Sequence, residues 1–303
     1  MIYLLLSILC STIIILTFKV LGQFKVHGFY AIIINYWVCV MTGLLSGMVD
    51  PSTLLSFVQR PGFPIALLMG ALFIGGFYAI NLTVKHNGIT VASIVSKNAM
   101  VVSVTAAFFL YGDVVNVPKI TGILAAVLAI VLSSARSKSA LATAEVSGSN
   151  WLYPFMAFAI SGTIETLLKY TQEYHLHSGE QSVFLIFLFG TAGAIGTLVF
   201  LGQQFSPHLR SGRSPQKSFQ NLLGGLLLGV PNYGSIYFLI RTLEQPNWES
   251  SVVYPVNNIG VVLLSTLLAY LFFHEKMSRL RLLGVGLAIA AIGLIAWGTN
   301  LAG

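Results

Sequence analysis

Apolar stretches and short polar interruptions alternate along almost the whole chain. Ten apolar segments can be drawn, at 2–18, 28–49, 64–84, 89–111, 119–135, 151–170, 180–202, 219–240, 250–273 and 279–299. Each comes close to the roughly 20 residues that a helix needs to cross a hydrocarbon core. Backbone polar groups in lipid must find partners within their own segment, so these segments are predicted as helices. The fifth, ITGILAAVLAIVLSSA, is short and is expected to cross with little tilt. Two polar stretches stand out. RSKSALATAEVSGSN (136–150) is rich in Ser and Ala, lies at the midpoint and reads as a linker. QQFSPHLRSGRSPQKS (203–218) is a loop with three bases and no acid. The N-terminal MIYLLLSILCSTIIILTFK has neither a basic start nor a small-residue cleavage site, so it is predicted as a retained first helix.

The two halves resemble each other. With an offset of 150, STIIILTFK (11–19) lies over SGTIETLLK (161–169), and His27 then meets His177. With an offset of 159, GALFIGGFYAINLT (70–83) lies over GVPNYGSIYFLIRT (229–242), which pairs Gly70 with Gly229 and Tyr78 with Tyr237. With an offset of 162, Asp113, Lys119 and Gly122 meet Glu275, Arg281 and Gly284. The offsets drift only as loop lengths differ. Five helices per half is an odd number, so the second half must enter the membrane inverted. The expected fold is an all-α membrane protein of ten transmembrane helices in two inverted five-helix repeats. These are 1–135 and 151–303, joined by the linker 136–150. Inverted repeats characterise alternating-access carriers, with the substrate near the midplane.

Composition narrows the class. The 303 residues are 56% hydrophobic and 8% charged, with mean hydropathy +0.84. Soluble domains carry about 25% charged residues. An ordinary cytosolic enzyme, a disordered chain and a secreted disulfide scaffold are thereby excluded. The net charge of +7 is scattered at segment ends. That is a topology signal and not a nucleic-acid surface, so no nucleic-acid partner is expected. Connections after the odd segments, with their flanks, hold Lys19, Lys25, Lys85, Arg136, Lys138, Arg210, Arg213, Lys217, Lys276, Arg279 and Arg281. The other side holds only Arg60, Lys119, Lys169 and Arg241. The positive-inside rule then puts both termini outside the cytoplasm. Cys10 and Cys39 lie in apolar runs and read as buried small hydrophobes.

The stretch SVVYPVNNIGVVLLSTLLAYLFFHEKMSRLRLLGVGLAIAAIGLIAWG (251–298) joins a polar Pro cluster, an apolar run, a terminal acid, a basic turn and a small-residue-rich last helix. On these features the chain resembles the drug/metabolite transporter superfamily, specifically its EamA-like ten-helix branch. The first half departs by ending its matching stretch in Asp113, where the family usually has Glu. The resemblance implies a carrier of small metabolites in a bacterial inner membrane.

Ionisable groups inside spanning segments mark function by default. Glu165 is the one acid well inside a segment, one turn before Lys169 in a favourable (i, i+4) order. It reads as a protonatable coupling group, and the plainer alternative is an ion pair with Lys169 or Lys97. Lys97 sits among Ser93, Ser96 and Asn98 and suits a substrate carboxylate or phosphate, or Glu165 in the empty carrier. The ninth segment carries Tyr254, Pro255, Asn257 and Asn258, and the eighth Pro231, Asn232 and Tyr233. Each proline frees a carbonyl, and the asparagines add donors and acceptors. Tyr78 and Asn81 on the third segment, and Asn35 and Tyr36 on the second, extend this set. The plainer alternative is interhelical glue. Trp151, Trp248 and Trp297 read as interfacial anchors. Gly43/Gly47 and Gly225/Gly229 read as packing motifs. His274-Glu275 lacks the second histidine of a zinc motif. No catalytic constellation, metal site or cofactor is expected. The expected partners are a small-molecule substrate and the bilayer, with the chain a monomer or homodimer. A secondary carrier of a small polar metabolite such as an amino acid leads. A multidrug exporter of lipophilic cations is the alternative, and Lys97 weighs against it.

Overall fold

The structure is a computed structural model. It describes the chain except residues 24–27, 47–48, 88, 135–150, 178, 206–217, 247, 274–277 and 301–303. The linker at 136–150, most of the 203–218 loop, Lys25, His27, Gly47, His274, Glu275 and Lys276 lie outside the described residues. Among the described residues there are helices and no strands. In order they are α1 (Ile2–Gln23), α2 (Gly28–Leu45), α3 (Pro51–Phe57), α4 (Gly62–Asn87), α5 (Ile89–Asn98), α6 (Met100–Leu110), α7 (Val117–Ser134), α8 (Leu152–Tyr174), α9 (Gln181–Phe205), α10 (Ser218–Leu243), α11 (Ser250–Phe273) and α12 (Arg279–Asn300). Among the described residues, eight helical stretches are long and apolar enough to cross a membrane, one of them running through both α5 and α6. The chain is an all-α, multi-pass membrane protein. α7 is a shorter apolar helix, and α8 carries Glu165, Lys169 and Glu173.

Two features differ from the predicted segments. α3 is an additional short helix, started by Asp50, whose carboxylate accepts from Ser52 N–H at 3.2 Å, and by Pro51 at its first position. Both are favoured helix starts. The fourth segment is divided at Ala99 by a one-residue turn that keeps right-handed helical dihedrals within one span, 91–110. Ala99 N–H reaches Val95 O, but Val102 N–H turns to Ala99 O at 2.9 Å instead of continuing the ladder. Asn258 Nδ2 of α11 reaches Lys97 O at 3.4 Å just before the turn. A side chain inserted into the ladder is a recognised cause of such an irregularity.

The helices form two compact units. The first takes residues 1–74 and 170–241, the second 75–169 and 242–303. Each draws on both sequence halves.

In the first unit α2 and α9 run antiparallel. A Cβ on Gly43 would meet Ile186, one on Gly193 would meet Trp37 and one on Gly196 would meet Ile33. Gly225 and Gly229 of α10 lie directly on Ile34 and Val38 of α2. Gly70 of α4 lies on Leu188 O, Thr191 and Ala192 of α9. A larger residue at these sites would force two backbones apart, which is why small residues gather where membrane helices cross.

In the second unit α7 and α12 run antiparallel. Gly122 faces Ile295 and Ala291, while Gly298 faces Asn116 and Lys119. Ala126 and Ala129 of α7 and Ala288 and Ala291 of α12 are buried. α11 packs against α6, and Val104, Ile123, Val252 and Ile295 form one apolar cluster.

Candidate functional site

Glu165 of α8 is the centre of the polar cluster in the second unit. Gly162, one turn earlier, lies so close to Val102 that a Cβ would sit 2.5 Å from it. That approach brings α6 within reach of the carboxylate, and Ser103 Oγ donates to Glu165 Oε2 at 2.7 Å. From α11, Asn258 Nδ2 donates to Glu165 Oε1 at 3.3 Å, and Tyr254 OH donates to the Glu165 carbonyl at 2.6 Å. Three helices thus converge on one acid. Tyr254 and Asn258 are buried, as is their neighbour Asn257.

Lys97 lies at the end of α5, beside the turn. It interacts electrostatically with Glu165, but the two form no direct ion pair. Among the described residues its ammonium makes no hydrogen bond. Next to it, Asn98 is buried and its Oδ1 has no hydrogen-bond partner. Buried polar atoms are satisfied in the great majority of cases, so an orphan beside an uncommitted ammonium is unusual. The group has a cation, an anion, two amides and two hydroxyls within one unit. It can offer donors and an acceptor to a charged or zwitterionic molecule.

The (i, i+4) pair of Glu165 with Lys169 does not form. The carboxylate is already engaged by Ser103 and Asn258. Lys169 Nζ instead reaches Leu243 O at 3.5 Å and stands 5.6 Å over the Tyr111 ring. Ser93, one turn before Lys97, is exposed. Tyr78 is 58% exposed on α4. Neither hydrogen-bonds to the cluster.

Asn232 and Tyr233 belong to a second cluster, in the first unit. Asn232 Nδ2 donates to Asn35 Oδ1 at 3.2 Å, and Tyr233 OH to Ser182 Oγ at 2.9 Å. Cys39 Sγ donates to Gly229 O at 3.2 Å, and Ser7 Oγ to Ser235 O at 2.9 Å. Every group here is neutral and tied to a partner on another helix.

Ser103 and Ser182 were absent from the sequence candidates. Ser103 lies in the apolar run MVVSVTAAFFL, where it and Thr105 are the two hydroxyls, and a polar side chain in such a run was the available signal. Several other described charges near helix ends are held locally. Arg60 pairs with Glu180 at 2.9 Å and touches His177 at 2.7 Å. Lys119 is fully buried and holds Glu249 and Val114 O. Asp113 accepts from Ser251 N–H at 2.8 Å.

No family model matches the chain. It is 23% identical over 234 residues to an uncharacterized protein of Haemophilus influenzae, covering 77% of this chain and 75% of that one. It is 37% identical over 75 residues to the uncharacterized membrane protein YvaE of Bacillus subtilis, covering 24% of this chain and 60% of that one. A crystal structure superposes with TM-score 0.76 at 13% identity, over 99% of this chain and 97% of the other. That likeness is one of fold.

Proposed function

We propose that the chain is a secondary carrier that moves a small polar metabolite by alternating access, with Lys97 and Glu165 at its substrate site. What supports this is a pair of charges on helices the proposal takes as spanning: Lys97 in the apolar stretch 91–110 and Glu165 in α8. Glu165 is engaged by neutral groups, and the Lys97 ammonium makes no hydrogen bond among the described residues. Intramembrane ionisable groups are costly and kept for function.

Ten spans and inverted repeats are part of the proposal. Gly70 and Gly229 are matched by the repeat, and they do matching jobs. Gly70 sits on α9 and Gly229 on α2, which are themselves the seventh and second segments. α2 packs on α9, α6 on α11 and α7 on α12. Each pair joins a helix to its repeat partner, and the contacts given for α2 with α9 and α7 with α12 run antiparallel. An inverted two-fold relation produces that arrangement. Membership of the drug/metabolite transporter superfamily and a bacterial inner-membrane location complete the reading, and both named relatives are bacterial.

Energy comes from a gradient or from substrate exchange, with Glu165 as the proton carrier if protons are coupled. Lys169 is the second charge of α8 and stands outside this exchange. A lipophilic-cation exporter is disfavoured because Lys97 would repel its substrate.

The test is counterflow in proteoliposomes with labelled amino acids, organic anions, nucleobases and quaternary cations, with and without a pH gradient. Uptake of an anionic or zwitterionic metabolite that is lost in Lys97→Ala is expected. Uptake unchanged in Lys97→Ala would overturn the site. A rate indifferent to the pH gradient would remove proton coupling.

A further inference from the structure

The carrier proposal leaves one face of α12 unused. α12 packs on α7 through Ala288, Ala291, Ile295 and Gly298, all buried. The opposite stripe is open. Arg279, Leu282, Leu283, Gly286, Leu287 and Ala290 line a groove of about 720 Å³. Gly286 has no neighbouring atom within 4 Å of where a Cβ would lie, so bare backbone forms part of the floor. Arg279 stands at one end and makes no hydrogen bond or ion pair with the described residues. Trp297, 57% exposed, lies five helical turns further along the same face. That separation is about 27 Å, close to the roughly 30 Å of a hydrocarbon core. The face therefore has a cation at one interface, an aromatic anchor at the other and an apolar trough between them.

We propose that this groove is a binding site for an anionic phospholipid of the surrounding bilayer, with the phosphate at Arg279 and an acyl chain over Gly286. Charge selects the lipid headgroup, since the groove has one uncommitted guanidinium at its end and no acid in its lining. The same charge disfavours a second copy of the chain on this face. Two copies in one membrane share an orientation, so a two-fold axis along the normal would set Arg279 against its equivalent. Guanidinium with phosphate is a strong charge-assisted pair.

The test is native mass spectrometry of the full chain, purified in mild detergent and offered phosphatidylglycerol or phosphatidylcholine. Retention of one phosphatidylglycerol per chain, in preference to phosphatidylcholine, is expected. Arg279→Gln weakens that retention by about fivefold, the usual contribution of one base near an anionic headgroup. Gly286→Leu fills the trough and lowers retention with the charge intact, so a folding failure of either variant leaves the other informative. Lys85→Gln, which removes a base elsewhere, leaves retention unchanged. Equal retention of both lipids, or unchanged retention in Arg279→Gln, would overturn the proposal. So would a lipid-free dimer cross-linked through a cysteine at position 286.

Discussion

The two compact units each hold a polar cluster inside apolar helices, and the clusters are built on opposite principles. In the first unit Asn35, Asn232, Tyr233, Ser182 and Cys39 are neutral and satisfied by one another or by backbone carbonyls. In the second, Glu165 gathers Ser103, Asn258 and Tyr254, while Lys97 keeps an uncommitted ammonium and Asn98 an orphaned oxygen. A matched neutral network is complete without a ligand. Separated charges with unmet bonding capacity are not, and low surrounding dielectric magnifies the difference. Polar residues within a membrane therefore divide into glue and site by whether their bonds are already filled.

The largest effect is expected on transport. Lys97→Ala removes the ammonium offered to a charged substrate and Glu165→Gln removes the charge of the carboxylate; with about 1.5–3 kcal/mol at stake for a bond to a charged group, uptake should fall about 10- to 150-fold. Native-like elution on gel filtration would show that the fold survives. If both variants transported normally, the second cluster would also be glue.

The largest effect on stability is expected away from both clusters. Lys119 is fully buried and faces Glu249. Lys119→Met would leave Glu249 without its cation at a cost of about 3 kcal/mol, read as a lowered midpoint in denaturant. The double variant with Glu249→Leu should recover most of that loss.

Next come the repeat-matched glycines. Gly70→Leu and Gly229→Leu should each cost about 1–3 kcal/mol through overpacking. Equal losses in thermal stability support a shared role in the two halves. An undisturbed protein in one case alone would break the repeat argument there.

The smallest effect should come from the neutral cluster treated as a pair. Asn35→Leu or Asn232→Leu alone leaves an unsatisfied amide at about 1–3 kcal/mol, whereas the double replacement should be nearly neutral. A double-mutant cycle on thermal stability reads this coupling.

Much of the fold was legible because lipid leaves helices few alternatives. Among the described residues, each of the ten apolar segments overlaps a helix. The turn at Ala99 was not legible, since no Pro or Gly marks it and Asn258, which reaches Lys97 O there, lies 161 positions from Lys97. α3 was missed although Asp50-Pro51-Ser52 is a helix start, because attention to apolar length passes over a seven-residue helix. Of the candidate cluster, Lys97, Asn98, Glu165 and Asn258 were singled out by charge and amide content inside apolar runs, and Tyr254 by its place beside Pro255. Spacing misled for Lys169. An (i, i+4) interval makes a pair available, but Ser103 and Asn258 had already taken the carboxylate. Periodicity along one helix carries no information on what a neighbouring helix brings, and that also separated Asn232 and Tyr233 from Lys97.

The central claim is that the charged cluster binds substrate and the neutral one does not. The direct measurement is the thermal stability of the purified protein against amino acids, organic anions and quaternary cations. It would be made on the wild type, on Lys97→Ala and on the Asn35→Leu/Asn232→Leu double variant. A ligand at 100 times its dissociation constant stabilises by about 2.7 kcal/mol. The account predicts such a shift with an anionic or zwitterionic metabolite, lost in Lys97→Ala and kept in the double variant. A shift that survives Lys97→Ala, or that vanishes in the double variant, would contradict it.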